Sequence, residues 1–447
     1  MRLNFSHGTQ AAHGQRIRQV RAAAERSGKA IAILQDLQGP KIRTGRLVGG
    51  GPIELSSGSK VTITTRDILG TPACISTTYA ELPRDVRAND RLLLDDGRIH
   101  LTVMSAGHDE VLARVDHGGI LGESKGINLP GVAVSAPALT EKDRSDLEFG
   151  LEQGVDFVAL SFVRRASEIV EARRFLDALG KRVPLVAKIE KPEALMDLDD
   201  IIASSDAVMV ARGDLGVELP AELVPNHQKR IIRRANRRGI PVITATQMLE
   251  SMISQPQPTR AEVSDVFNAI CDGSDAVMLS GETAVGQYPI EAVRTMGQIG
   301  CEAERRAPRV ESQPARLSHA HAVARAARAL ADDLTVRAIV CWTRTGRTAE
   351  LLSQDRPRVP ILAFCPDPVL RRRLALLWGV AAMSCPLAGD TEGMVRQMEQ
   401  ILIQEGLIDP GQTVVIVGAV PLKAGVHTNF VKLHTLGGVG RAKKYKL

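Results

Sequence analysis

The sequence predicts an α/β protein: a parallel (β/α) barrel, a small all-β insertion, and a second α/β domain at the C-terminal end. Three observations lead there. From about residue 155, short β-branched runs alternate with longer amphipathic stretches, the pattern of a parallel sheet with crossover helices. Between Lys41 and about Pro137 that rhythm gives way to short strand-like pieces broken by Gly, Pro and Asp-Gly. After a Pro-containing break near Arg306–Leu317 the alternation resumes.

Taken in order, Arg2–Phe5 reads as a strand, Ala11–Ser27 as a helix and Ala30–Gln35 as a second strand. In the insertion, Lys60–Thr65, Arg91–Leu94, Ile99–Val103 and Val111–Val115 read as strands, with Asp96-Gly97 as a hairpin turn. Thr140 offers an N-cap, and Glu141 and Asp143 an acidic first turn, to the next helix. Val155–Ser161, Pro184–Ile189, Ala207–Ala211, Pro241–Ala245 and Ala276–Leu279 read as buried strands. Helices are predicted at Ala166–Leu179, Ala221–Arg238 and Tyr288–Arg305. That makes seven barrel strands for an architecture that needs eight. Ala338–Trp342, Pro360–Phe364, Val380–Ser384 and Thr413–Gly418 complete the C-terminal domain. The domains are accordingly 1–40 with 138–310 for the barrel, 41–137 for the β insertion and 315–447 for the C-terminal unit.

Of 447 residues, 44% are hydrophobic and 24% charged, which excludes wholesale disorder. The net charge of +6 is dispersed, and aromatics are only 3%, leaving few stacking platforms for nucleic acid. Small anionic ligands fit that balance better. Six cysteines without a C-x-x-C pair read as buried thiols in a reducing compartment. No apolar run approaches the ~20 residues of a membrane span, and the N-terminus lacks a signal-peptide stretch. The expectation is a cytoplasmic protein that binds neither membrane nor nucleic acid.

Polar residues gather where the barrel strands end: Asp36, then Lys188 and Glu190, Gly213-Asp214, Thr246, and Ser280-Gly281-Glu282. Each alone has a bland reading, Asp214 as a helix cap or Lys188 as a satisfied ion pair. In a parallel barrel, however, all those ends share the face that carries the active site. Lys188 and Glu190, two apart on one strand, point to the same side. Glu190 and Asp214 lie about one βα unit apart and can converge, a pair of hard oxygen donors suited to Mg²⁺. A lysine beside a metal site supplies positive charge over developing negative oxygens, as phosphoryl transfer or enolate stabilisation requires.

Six segments carry a resemblance: Arg2-Leu3-Asn4-Phe5-Ser6-His7-Gly8, Gln38–Gly45, Ala187-Lys188-Ile189-Glu190, Met209–Gly216, Ala245–Ser251 and Met278–Thr283. In order and combination they resemble the pyruvate kinase family across essentially the whole chain. The resemblance implies a TIM-type (β/α)8 barrel, an inserted β lid and a C-terminal regulatory domain. It implies transfer of phosphate from phosphoenolpyruvate to ADP, giving pyruvate and ATP, by a homotetramer. On that reading Lys188 stabilises the transferring phosphoryl group and the enolate. Glu190 and Asp214 hold Mg²⁺, for which Mn²⁺ can substitute. Gly213 offers its backbone N–H to the substrate carboxylate. Thr246 positions the carboxylate and the proton source, with Ser280 assisting. Arg2 contacts the phosphoryl group, and Asn4, His7, Arg43 and Lys125 engage the nucleotide phosphates.

Two departures matter. The family's K⁺ ligands match Asn4, Ser6, Asp36 and the carbonyl of Leu37, but Lys41 stands where K⁺-using members resemble each other in an acidic residue. The expectation is that the Lys41 ammonium replaces the ion and K⁺ is not required. The chain also starts at the Arg2–Gly8 motif, which other members precede with a strand and helix. A barrel without its first strand, with two open edges, is expected. In the C-terminal domain Thr343-Arg344-Thr345-Gly346-Arg347-Thr348 follows a strand and opens a helix, a phosphate cradle for an allosteric effector. Arg371-Arg372-Arg373 reads as a solvated helix start. Two alternatives stand beside the leading one: a truncated, catalytically impaired regulatory subunit, and another Mg²⁺-dependent barrel enzyme acting on phosphoenolpyruvate or pyruvate.

Overall fold

A computed structural model describes residues 1–306, 318–386, 390–420 and 427–437. The predicted break at Arg306–Leu317 lies outside them beyond Arg306. Seven parallel strands form one curled sheet in strict chain order: β1 (Arg2–Asn4), β2 (Leu34–Asp36), β3 (Phe157–Leu160), β4 (Leu185–Ile189), β5 (Ala207–Ala211), β6 (Val242–Ala245) and β7 (Ala276–Met278). All seven predicted barrel strands are present, each within a few residues of its expected ends. β1 and β7 are the two edges and do not pair with each other. Between them the lumen keeps a cavity of about 300 Å³ lined by Leu34, Phe157, Val186, Ile243 and Met278.

The alternation along each strand sorts side chains into two cores. Leu34, Phe157, Ala159, Val186, Met209 and Ile243 pack together on one face of the sheet. Val158, Leu160, Leu185, Ile189, Val208 and Val210 pack on the other, against helix residues such as Ile17, Leu176 and Ile231. Asp36 and Lys188 fall in the first register, so the face that buries apolar residues below carries charged ones at its upper end. Helix Glu141–Glu152 starts as expected, with Thr140 and Asp143 forming a reciprocal capping box.

The insertion is all-β. A six-stranded sheet, ordered Ile127–Asn128, Arg91–Leu94, Ile99–Ala106, Glu110–His117, Lys60–Thr64 and Cys74–Ser76, encloses its own apolar core. Asp95, Asp96 and Gly97 all take positive φ in the turn between Arg91–Leu94 and Ile99–Ala106, as Asp-Gly chemistry permits. The C-terminal sheet pairs the four predicted strands in parallel and adds a fifth, Phe430–Thr435, antiparallel at its edge. The sequence reading lacks this strand. The cysteines are free thiols; Cys341, Cys365 and Cys385 are buried, whereas Cys301 is exposed and Cys74 and Cys271 are half-buried, correcting the uniform burial expected. No helix among the described residues is long and apolar enough to cross a membrane.

The Arg371–Arg373 triplet corrects a second expectation. It is not a solvated helix start but part of the clamp between the C-terminal domain and the foot of the barrel. Arg372 Nε donates to the fully buried Asp156, 2.7 Å away, which also accepts from Arg21 and from the Ile33 N–H. Arg371 donates to the Gly28 carbonyl and Arg373 to that of Arg182. A second anchor is Arg356, which pairs with Asp275 at 2.9 Å, donates to the carbonyls of Gly273 and Ser274, and stacks 4.4 Å from the Trp378 ring. Each carboxylate immediately precedes a barrel strand, Asp156 below β3 and Asp275 below β7.

Burial pushes the Asp275 carboxyl above its usual range, against the pull of Arg356. Arg356→Met removes that pull and leaves a buried charge unpaired, at a cost of about 3–5 kcal/mol. The melting midpoint should fall accordingly at neutral pH. Because the raised carboxyl is neutral once protonated, the deficit relative to the parent should shrink as pH is lowered. A deficit that stays constant with pH would show that the ion pair is not its source.

Candidate active site

Asp36, the last residue of β2, is 1% exposed and organises the upper end of the barrel. Its Oδ2 accepts from Arg2 Nε at 2.7 Å and lies 2.6 Å from Arg2 Nη2. Its Oδ1 faces Lys188 Nζ at 3.2 Å. Lys188 Nζ also lies 2.9 Å from Glu190 Oε1 and donates to Ser161 Oγ at 2.7 Å. Ser161 in turn donates to the Leu37 carbonyl at 2.7 Å. Burial opposes the Lys188 charge, but Asp36, Glu190 and Asp214 together outweigh it and raise the ammonium above its ordinary range.

Glu190 is 1% exposed. Its Oε2 accepts the Phe162 N–H at 2.6 Å, while Oε1 is buried without a hydrogen bond of good geometry. Burial and the neighbouring Asp214 push its carboxyl up to about 7, against the pull of Lys188. Asp214, half-buried in helix Arg212–Glu218, makes no hydrogen bond or ion pair with any described residue. Two neighbouring acids, one whose inner oxygen faces only the Lys188 ammonium and one without a hydrogen bond or ion pair among the described residues, are a donor set for a hard divalent cation. No cluster of three or more His, Cys, Asp or Glu suited to a metal occurs among the described residues, so water or ligand oxygens would complete the shell.

The loops after β3 and β6 are strained. Phe162, Thr246 and Gln247 have φ of 57°, 68° and 54°, a left-handed region that is a clear outlier for β-branched threonine. Thr246 Oγ1 accepts the Gly213 N–H at 2.8 Å and donates to the Ala245 carbonyl. A Cβ on Gly213 would meet that hydroxyl at 3.3 Å, so glycine keeps the approach open. Ser280 Oγ is buried with no hydrogen-bond partner among the described residues. Glu282, 2% exposed, accepts the N–H groups of Ser280 and Leu249 and so ties the loops after β6 and β7 together.

The lid closes over this face. Asn128 donates to Glu218, which also pairs with Lys191 at 2.5 Å. Lys41, Asn128, Phe162, Lys191 and Asp214 line the narrow cleft between lid and barrel. Lys41 makes no ion pair with any described residue; its stem lies beside Gly126, and Asp36 pairs with Arg2 and Lys188. Asn4 Oδ1 accepts the Ser6 N–H at 3.1 Å. His7 is exposed, and its pKa is lowered by desolvation and by the positive charges of Arg43, Lys41 and Arg2, so these cations share one neighbourhood. Lys125 faces Asp95 at 2.8 Å within the lid.

In the C-terminal loop Thr343 Oγ1 accepts the Gly346 N–H at 2.8 Å, and Thr348 shares a hydrogen bond with Thr428. Arg344, Thr345 and Arg347 are exposed, and Arg347 pairs with Glu350. The structure adds Ser161, Phe162, Arg212 and Glu218 to the residues that sequence reasoning singled out as functional. Ser161 was findable as one more polar residue at a strand end; the others act through contacts that spacing does not reveal.

Residues 1–293 match the family described as pyruvate kinase, barrel domain, and residues 321–434 the pyruvate kinase alpha/beta domain. The chain is 45% identical to a pyruvate kinase of Geobacillus stearothermophilus, covering 99% of this chain and 78% of that one. It is likewise 45% identical to one of Corynebacterium glutamicum, covering 99% and 93%. The crystal structure of a pyruvate kinase from Cryptosporidium parvum superposes with a TM-score of 0.90 at 37% identity, covering 97% of this chain and 90% of that one.

Asp36→Asn leaves Arg2 and the Lys188–Glu190 pair without their shared counter-charge. The expected outcome is a loss of about 3 kcal/mol in denaturant unfolding. An unchanged midpoint would mean that Asp36 does not organise this end of the barrel.

Proposed function

The chain belongs to the pyruvate kinase family and transfers the phosphoryl group of phosphoenolpyruvate to ADP, giving pyruvate and ATP in glycolysis; we propose that Lys188, Glu190 and Asp214 form the centre of that transfer. The observation that carries this is the charged, buried Lys188 set among three carboxylates at the upper end of the barrel. Matches to both the barrel and the C-terminal domain weigh against a different phosphoenolpyruvate or pyruvate enzyme.

In the reaction the bond between phosphorus and the enol oxygen breaks, and an ADP β-phosphate oxygen bonds to phosphorus. The enolate left behind takes a proton at carbon to become pyruvate. Lys188 stays protonated and offsets negative charge on the phosphoryl oxygens and then on the enolate. Arg2 supplies a second cation at the phosphoryl group. Glu190 and Asp214 would hold Mg²⁺, or Mn²⁺ in its place, which when bound neutralises charge on substrate oxygens. Gly213 and Thr246 orient the substrate carboxylate. Thr246 also holds the proton source, assisted by Ser280. Asn4, His7, Arg43 and Lys125 bind the nucleotide phosphates from the side where lid and barrel meet.

The catalytic unit is 1–40 with 138–310, the lid 41–137 and the regulatory unit 315–447. The reading extends to a cytoplasmic homotetramer. Its phosphorylated effector binds at Thr343–Thr348, where exposed Arg344, Thr345 and Arg347 surround a tight turn. The chain works without K⁺: Asp36 is already neutralised by Arg2 and Lys188, and Lys41 adds a fixed positive charge at the cleft.

The test is pyruvate formation from phosphoenolpyruvate, ADP and Mg²⁺. Lys188→Met should lower kcat about 10³-fold or more, with the fold intact by circular dichroism. A folded Lys188→Met with parental turnover would overturn the assignment. Turnover should persist when K⁺ is replaced by tetramethylammonium. A several-fold loss in that salt would overturn K⁺ independence and leave the Lys188 assignment untouched.

A further inference from the structure

We propose that Arg212 is a positioning residue for this reaction: it holds Thr246 in the left-handed conformation that aims the threonine hydroxyl at the Gly213 N–H. The proposal rests on the reading above that Thr246 acts on the substrate.

Arg212 opens the helix after β5 and is buried. Every one of its five N–H donors is engaged. Nη2 donates to the Thr246 carbonyl at 2.7 Å and the Gln247 carbonyl at 3.1 Å, and Nε reaches the Thr246 carbonyl at 3.3 Å. Nη1 donates to Asp265 Oδ1 at 2.7 Å and Gln228 Oε1 at 3.4 Å. Asp265 lies in helix Arg260–Cys271 and Gln228 in helix Val224–Arg238, so the guanidinium is braced from behind by two rigid elements. Its other edge gathers two successive carbonyls.

Successive carbonyls turn toward one donor only when the backbone departs from the extended form. Here Thr246 and Gln247 do so at φ of 68° and 54°. An L residue, and a β-branched one above all, leaves that region unless its surroundings over-determine it. The remaining tie on Thr246 is its Oγ1, which takes the Gly213 N–H from the residue next to Arg212. Arg212 and Gly213 thus grip the turn at carbonyl and hydroxyl together. Released from the guanidinium, the turn relaxes and carries Oγ1 away from Gly213. A lysine keeps the charge but has a point ammonium on a flexible stem, and it cannot serve two carbonyls, a carboxylate and an amide at once.

The experiment compares Arg212→Lys, Thr246→Ala and the double variant in steady-state turnover, with melting to establish folding. Arg212→Lys should lower kcat about a hundredfold while the KM for phosphoenolpyruvate moves far less, since a misplaced group costs rate before binding. In the Thr246→Ala background the same change should cost nothing further, because the arginine acts through that residue. Free guanidinium at non-denaturing concentration should restore part of the turnover of Arg212→Ala. Should that variant fail to fold, Asp265→Asn, which loosens one brace, should give a smaller loss that also vanishes with Thr246→Ala. Folded Arg212 variants with parental kcat, or losses that multiply in the double variant, would overturn the proposal. Parental turnover in Thr246→Ala would overturn the Thr246 reading itself, and the proposal with it.

Discussion

A buried carboxylate shared between two cations, Asp36 between Arg2 and Lys188, is the constraint on which the upper end of this barrel depends. Removing charges from water is expensive, and a buried ion pair recovers that cost only when its geometry is good and its remaining valences are met. Here they are met in a chain: Asp36 to Lys188, Lys188 to Glu190 and Ser161, Ser161 to the Leu37 carbonyl. These groups come from β1, β2, β4 and the segment after β3. The network therefore registers four separate stretches of chain against each other, something the apolar packing below cannot do with the same directionality.

The same end stores strain. Phe162 and Thr246–Gln247 take left-handed backbone at the ends of β3 and β6, and each is held by a charged side chain from a neighbouring strand end. Glu190 accepts the Phe162 N–H, and Arg212 takes the Thr246 and Gln247 carbonyls. Both charged side chains fix the backbone of a neighbouring strand end. That coupling explains why polar residues at this end cannot be read one at a time.

Much of the fold was legible because it rests on local periodicity. Strand alternation places Lys188 and Glu190 on one side whatever the tertiary structure, and the Thr140–Asp143 pattern caps its helix by local chemistry alone. The strand Phe430–Thr435 went unseen because its half-exposed residues do not alternate and gain meaning only beside Thr413–Gly418. Arg212, Arg356 and Arg372 could not be sorted by spacing: a run of three arginines looks solvated until a buried aspartate 216 positions away is known to lie beneath it. Lys41 shows the converse. A resemblance located the position; the side chain lines the cleft between lid and barrel beside Gly126, while Asp36 pairs with Arg2 and Lys188.

The charges at the site also bear on the order in which ligands can enter. Asp36, Glu190 and Asp214 face Arg2 and Lys188, and burial together with the neighbouring Asp214 raises the Glu190 carboxyl against the pull of Lys188. Phosphoenolpyruvate, whose phosphate and carboxylate are both anionic, would meet these carboxylates as well as the cations. On the proposed assignment, Glu190 and Asp214 would hold a divalent cation that offsets their own charge, leaving Lys188 to the phosphoryl oxygens. On that assignment the metal would favour substrate binding as well as chemistry, and the contact from Asn128 to Glu218 ties the insertion to the barrel beside that site.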